Sequence, residues 1–409
     1  MLKPLMIRSM DRRCVLVFGC GVLQRSMLRC ARRLGLCTVG IDPCADAVAR
    51  DEADFFEVVA GQDFDGTMAV AMKYNVSAIV AAATDKPLVM MARVAEALHL
   101  PFMSFETAQC STDKFRMKRR FQENGVPCAR GRLLACADDA EGLAFPLIVK
   151  PRDNSGSRGV KLCRSNVELQ ACLDEAFRYS CFDTVLAEEF ISGKEYSVEA
   201  LHDASGRSEV IQCTEKFVTP FPYSVELGHR QPALLEKPRL QAVGELVERI
   251  GRCLGFVCCA SHTELKINGD KITIIETSPR TGGDFISSDL VPLSTGISME
   301  EQLLRMALGE SPDIRSGRKE RSSGISFFHF PEGRVRRISP RLEELSSMPG
   351  VCLVDWQLRE GDLVRPVTNS LERYGSYIVE AETRAELDTR MDACEKLVCS
   401  CVEIESDKA

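Results

Sequence analysis

Pro146-Leu147-Ile148-Val149-Lys150-Pro151-Arg152-Asp153-Asn154-Ser155-Gly156-Ser157-Arg158-Gly159 places an apolar run, a lysine and a Gly/Ser loop in direct succession. The apolar run is short and reads as a buried strand. A buried strand end needs no lysine for packing. A phosphate does, because lysine is a compact point charge that grips an anion. The loop then offers free backbone N–H groups and small side chains, so Ser155, Gly156, Ser157 and Gly159 can close over phosphate oxygens. The competing reading is a solvated hairpin tip, and the lysine at its foot favours a phosphate lid.

Downstream, a strand over 185–188 runs into Glu189-Phe190-Ile191-Ser192-Gly193-Lys194-Glu195. The backbone of such an apolar hinge can read a purine edge, and a neighbouring carboxylate can accept ribose hydroxyls. Residues 263–267 and 271–276 then form a hairpin with a glutamate on each arm, Glu264 and Glu276. Magnesium binds through one or two carboxylates plus substrate phosphates, so both glutamates must share a face. A two-residue turn at Asn268-Gly269 would put Glu264 opposite Thr273 and Glu276 on the other face. A three-residue loop, Asn268 to Asp270, sets Glu264 opposite Ile274 and leaves Glu276 a diagonal neighbour at roughly 7–8 Å. The three-residue loop is therefore predicted. Arg280, four residues past Glu276 and ahead of Gly282 and Gly283, can hold a fixed cation beside a transferring group.

Working towards the N-terminus, strands over 14–18, 37–41 and 78–82 alternate with helices over 22–34 and 67–74, the pattern of a parallel, doubly wound α/β sheet. Gly19-x-Gly21 follows the first strand and Asp42 lies about 20 positions on, as in a dinucleotide fingerprint. The third glycine is replaced by Gln24, so a cofactor-free turn is favoured over a dinucleotide-dependent oxidoreductase. A basic helix over 111–124 starts with Ser111 or Thr112 as its cap. Residues 166–179 and 238–254 are helical. Residues 311–323 read as a linker. Short strands over 324–330, 350–358 and 377–380, with a helix over 385–399, close the chain as a small α+β domain.

The 409 residues are 45% hydrophobic and 27% charged, which is ordinary globular material. The net charge of −7 with scattered basic residues argues against nucleic acid as the partner. Nineteen cysteines in a chain of this length, without paired CxxC knuckles, read as reduced, buried small hydrophobes in a cytoplasmic protein. Residues 1–13 lack the features of a secretory signal, and no run approaches the roughly 18 apolar residues of a membrane span. His99, His202 and His329 have no evident partners, whereas His262 precedes the first glutamate strand.

Taken in order, these elements resemble the ATP-grasp superfamily, which includes biotin carboxylase, carbamoyl phosphate synthetase and D-alanine–D-alanine ligase. The resemblance implies an ATP-grasp fold: a Rossmann-like domain over 1–108, an ATP-grasp domain over 109–324 with a lid over about 115–187, and an α+β domain over 325–409. It implies ATP as substrate with Mg2+, or Mn2+, as the ion. Lys114, in Thr112-Asp113-Lys114, and Lys150 would bind phosphates, residues Glu188, Glu189, Phe190 and Ile191 the adenine edge, and Glu195 the ribose. Glu264 and Glu276 would ligate the metal. Most members carry asparagine where Ser278 stands, so Ser278 is a weaker candidate ligand.

Gly228-His229-Arg230-Gln231-Pro232, Pro279-Arg280-Thr281-Gly282-Gly283 and Arg373-Tyr374-Gly375 look most like the L-amino acid ligase branch. That likeness implies amide formation between a small-molecule carboxylate and an amine through an acyl-phosphate, with His229 near the substrates and Arg280 serving phosphoryl transfer. It implies no membrane partner and leaves a homodimer open. A carboxylase of nucleotide or bicarbonate chemistry is the rival within the superfamily.

Overall fold

The computed structural model describes residues 12–405. Most of the leader reading over 1–13 therefore lies outside the described residues. Strands β1 (Cys14–Phe18), β2 (Cys37–Asp42), β3 (Phe55–Val58) and β4 (Val76–Val80) form a parallel sheet in the order β3-β2-β1-β4. Val15, Leu16 and Val17 are fully buried, as expected for a strand covered on both faces. Helices α1 (Arg25–Arg33), α2 (Phe64–Lys73) and α3 (Leu88–Leu98) wrap this sheet.

The basic helix begins later than expected. Ser111 and Thr112 close helix α4 (Phe105–Thr112), where their hydroxyls donate back to the carbonyls of Thr107 and Ala108. Asp113 caps helix α5 (Lys114–Glu123) instead, accepting from the N–H groups of Phe115 and Arg116. The cap turns the chain so that Lys114 opens the helix.

The lid is an antiparallel sheet of β5 (Gly131–Leu134), β6 (Leu147–Lys150), β7 (Lys161–Cys163) and β8 (Val185–Glu189), ordered β5-β8-β6-β7. Helix α6 (Asn166–Phe177) packs Leu169 and Leu173 against Leu134 and Val149 beneath it.

Behind the lid, β9 (Lys194–His202), β10 (Ser208–Val218), β11 (Glu226–Gln231), β12 (Cys259–Asn268) and β13 (Lys271–Ser278) build an antiparallel platform. Helix α7 (Lys237–Leu254) precedes β12. Helices α8 (Val291–Thr295) and α9 (Met299–Ala307) lie between the platform and the first domain.

The C-terminal segment adds β14 (Ser322–Phe327), β15 (Gly333–Ile338), β16 (Val351–Trp356), β17 (Leu363–Val364), β18 (Gly375–Ala381), helix α10 (Arg384–Cys401) and β19 (Val402–Glu405). It is not a detached sheet. The platform continues through it in the order β13-β12-β9-β10-β11-β14-β18-β16, because β14 pairs with β11 on one side and β18 on the other. The expected boundary at 324 and the end of the linker both fall inside β14. The backbone groups of Ser323 and Gly324 are spent on this ladder, which a solvated linker could not offer.

Candidate active site

The expected turn at the acidic hairpin is corrected by the structure. Asn268 pairs with Lys271, so the turn holds two residues, Gly269 and Asp270, with Gly269 left-handed at φ +55°. That register alone would place Glu264 opposite Ile275 and send Glu276 to the far face. A β-bulge intervenes: Leu265 pairs with Ile274, and the next pair is Glu264 with Glu276. The two carboxylates are thus direct cross-strand neighbours rather than diagonal ones. Ile275 and Glu276 both face the same cavity, while Thr277 returns to the core.

Period-two alternation along β12 puts His262, Glu264 and Lys266 on one face. Register supplies their neighbours on β9: His262 pairs with Glu199 and Lys266 with Glu195. On β10 and β11, Lys216 pairs with His229. One face of the platform therefore collects titratable groups from five strands. Glu195 lies 3.1 Å from Lys266 Nζ. Lys216 Nζ lies 3.1 Å from Glu264, 3.3 Å from Glu226 and 3.9 Å from Glu195. Burial works against that ammonium, but the three carboxylates hold its pKa well above the ordinary value. Burial would raise Glu264, yet Lys216 and His262 keep it well below the usual carboxylate range. Lys114 Nζ sits 3.2 Å from Glu276 and donates to the Asn154 carbonyl at 2.6 Å, tying the start of α5 to the lid loop.

A first cavity, about 900 Å³ including its open mouth, lies between lid and platform. Ile148, Leu162, Phe190, Ile191, Phe221, Pro222 and Ile275 form its apolar end; Lys114, Lys150, Glu195, Lys216, Glu264 and Glu276 its polar end. Phe190 and Phe221 meet edge to face at 5.2 Å. Ser155, Gly156 and Ser157 line it, with Gly156 and Ser157 in the left-handed region at φ +69° and +58°. Gly159 does not line it. A Cβ there would meet Tyr179, Pro151 and the Glu175 carbonyl, so this glycine allows the loop to pack on α6.

Glu189 and Glu188 both line the first cavity, and the Glu188 side chain is turned inward. Its carboxylate is buried between Lys150 Nζ at 2.6 Å and Lys118 Nζ at 3.2 Å, the latter off the angle of a hydrogen bond. Its side chain orients Lys150, and Glu189 is drawn out to Arg130. Lys118 lay unread in the basic helix, where it looks like any surface lysine.

A second cavity shares Ser155, Gly156, Lys216, Glu226 and Glu264 with the first. Its other walls carry Arg158, His229, His262, Arg280, Asp284 and Arg373. Gly228-His229-Arg230-Gln231 lies on strand β11, and His229 is 1% exposed. His229 Nε2 faces Asp284 at 3.2 Å, and Asp284 is clamped by Arg373 at 2.6 and 2.9 Å. Arg280 pairs with Asp85, Nε to Oδ1 at 2.9 Å. Asp85 comes from the loop after β4, a site the sequence alone did not connect. Ser278 donates its hydroxyl to the same Asp85, lines neither cavity, and is not presented as a metal ligand.

Behind Arg280, the fully buried Glu199 bonds His262 Nδ1 at 2.6 Å, the Gly282 N–H at 3.2 Å and Ser287 at 3.1 Å. Burial opposes the imidazolium, but Glu199 and Glu264 raise the His262 pKa to about 9.

Residues 143–289, which hold lid strands β6 to β8, the hinge and the acidic hairpin, match the ATP-grasp domain. The chain carries an ATP-grasp domain. Residues 326–403 match the L-amino acid ligase C-terminal domain 2. Beyond the ATP-grasp domain, likeness extends over nearly the whole fold. An L-amino acid ligase from Bacillus licheniformis superposes with a TM-score of 0.81 at 22% identity, covering 97% of this chain and 99% of that one. A D-alanine–D-alanine ligase of Geobacter sulfurreducens is 27% identical over 215 residues, 50% of this chain and 66% of that protein. An alanine–anticapsin ligase of Bacillus amyloliquefaciens is 24% identical over 255 residues, 56% of this chain and 53% of that protein. The chain spans just under two thirds of the length of the first curated relatives it matches, 65% and 66%.

The glycine turn of the first domain is filled by its own side chains. Gln24 accepts from the Gly21 N–H and donates to the Ala82 carbonyl, and Asp42 accepts from the Cys20 N–H. His202 is bonded by Ser208 and Ser261 deep in the platform. Among the described residues no helix is long and apolar enough to cross a membrane.

Proposed function

We propose that this protein is an ATP-dependent carbon–nitrogen ligase that joins the carboxylate of one small molecule, an amino acid, to the amine of another. The observation that carries the proposal is the shared wall. A cavity shaped for a nucleotide and a cavity rich in cations meet at Glu264 and Lys216. A carboxylate oxygen placed at that wall attacks the γ-phosphorus of ATP, the bond to the β–γ bridging oxygen breaks, and ADP leaves. The amine nitrogen then attacks the acyl carbon, and the tetrahedral oxyanion collapses with loss of phosphate. The ammonium proton passes to the departing phosphate.

The chain's own part is positioning and charge neutralisation. Lys150, oriented by Glu188, and Lys114 grip phosphate oxygens, and Arg280 is the fixed cation beside the acyl carbon. Glu264 and Glu276 fit a magnesium ion, since paired carboxylates next to a phosphate site are its usual protein ligands. When bound, that ion neutralises phosphate charge.

Release of ADP should be measured against amino acids supplied singly and in pairs, with and without magnesium. Turnover that needs ATP, magnesium and two substrates is expected. Reduction of NAD(P)+ without any ATP cleavage would overturn the proposal.

A further inference from the structure

Four cationic side chains other than histidine reach the second cavity, and three are already committed. Lys216 is held by three glutamates, Arg280 by Asp85 and Arg373 by Asp284. Arg158 is different. Its Nε donates to the Ser155 carbonyl at 3.0 Å, and no carboxylate of the described residues lies within ion-pair distance of its guanidinium. It is half-buried on the lid and lines the second cavity but not the first.

The loop fixes where Arg158 stands. Ser157 before it adopts a left-handed φ of +58° and donates its hydroxyl to the Ser224 carbonyl at 3.0 Å. Gly159 after it packs so closely on Tyr179 that a Cβ would come within 2.9 Å. A non-glycine residue held left-handed is strained, and the surrounding contacts keep it so. A half-buried guanidinium without an anion is in want of one, and its planar fork matches a carboxylate.

We infer that Arg158 recognises a non-reacting carboxylate on the amine substrate, and so selects an amino acid over a simple amine as acceptor. This rests on the ligase reading above. The reacting carboxylate must lie at the shared wall, beside the nucleotide, whereas Arg158 lines only the cavity beyond it. A phosphate oxygen offers the same chemistry, and the two sources are separable.

The test uses the full chain, the Arg158→Ala and Arg158→Lys variants, each of the twenty amino acids as acceptor, and the carboxamide of every acceptor that reacts. In Arg158→Ala the KM for the amino-acid acceptor rises about tenfold or more, while the KM for its carboxamide and for ATP stay within about twofold. Arg158→Lys recovers part of the loss. A KM for ATP that rises in step with the acceptor assigns the guanidinium to phosphate and overturns the inference. So does an equal loss for acid and carboxamide, or no change. If the unmodified protein releases no ADP with any pair, the ligase reading itself fails, and this inference with it.

Discussion

Glu264 and Glu276 face each other across β12 and β13 because the strand gains one residue between Ile274 and Glu276. The bulge turns two consecutive side chains towards one cavity: Ile275 joins its apolar wall and Glu276 its acidic end. A regular ladder would have forced a choice between them.

Glu276→Gln keeps the shape of the side chain and removes its charge. ADP release is expected to fall by about a hundredfold or more, because an amide is a poor ligand for a hard cation and leaves Lys114 without its partner. The unfolding midpoint should fall as well, since the largely buried Lys114 ammonium loses the carboxylate beside it. ADP release and denaturant unfolding of the variant check both statements; full activity would remove Glu276 from the metal site.

Gly282→Ala tests the backing of the arginine loop. The new Cβ would lie 2.8 Å from Glu199 Oε2 and 3.0 Å from His262 Nδ1, in a buried network with no slack. A stability loss of about 1–3 kcal/mol is expected from this overpacking, with turnover reduced and nucleotide affinity kept. Calorimetry together with nucleotide titration distinguishes this from a loss of the nucleotide site.

Much of this arrangement was legible because it is local. The short apolar runs that mark β1, β2 and β4, the lysine at the end of β6 and the Gly/Ser loop each declare themselves within ten residues. What stayed hidden depends on pairing between distant segments. Strands β9 to β11 carry Glu199, Lys216 and His229 as buried polar residues, which blurs the apolar alternation that would have revealed them. The bulge at Ile275 leaves no mark in a run of Ile272-Thr273-Ile274-Ile275, so the register could be argued only from turn length, and that argument chose the wrong loop. The tie between Asp85 and Arg280 spans 195 positions and two sheets. Nothing near either residue announces it.

Glu300 offers a test of pH dependence. It is buried in the first turn of α9, accepts from the Ser26 hydroxyl and lies near Asp289. Burial, with Asp289 repelling and Ser26 and Arg33 partly offsetting, raises its pKa from 4.5 to about 7. A carboxyl raised on folding favours the folded state fully below pH 4.5, and that contribution is lost as pH rises through 7. Glu300→Gln removes the ionisation, so the variant should be more stable than the parent at pH 8 by about 3 kcal/mol at most, and equal to it near pH 4. Urea unfolding at both pH values decides it; parallel curves for the two proteins would show that Glu300 ionises freely in the folded chain.

Asp85→Asn addresses the contact between the first domain and the reaction centre. Asp85 accepts from Arg280 Nε and Nη2 and from the Ser278 hydroxyl, and the adjoining Ala83 N–H donates to Thr281. Arg280 is thus held in place by a loop belonging to another sheet. Arg280, Ser278 and Lys114 keep the Asp85 carboxyl charged against the cost of burial. Asparagine keeps the volume but leaves the guanidinium half-paired and free to turn. Hydrogen bonds to charged groups contribute about 1.5–3 kcal/mol, so turnover should drop by roughly ten- to a hundredfold. Nucleotide affinity should stay within about twofold, because Asp85 lines neither cavity. Steady-state rates at saturating substrates and direct nucleotide titration separate the outcomes. Unchanged turnover would mean that Arg280 keeps its place without Asp85. A parallel loss of nucleotide affinity would mean that Asp85 acts through Lys114, whose charge it also supports, and belongs with the phosphate-binding groups instead.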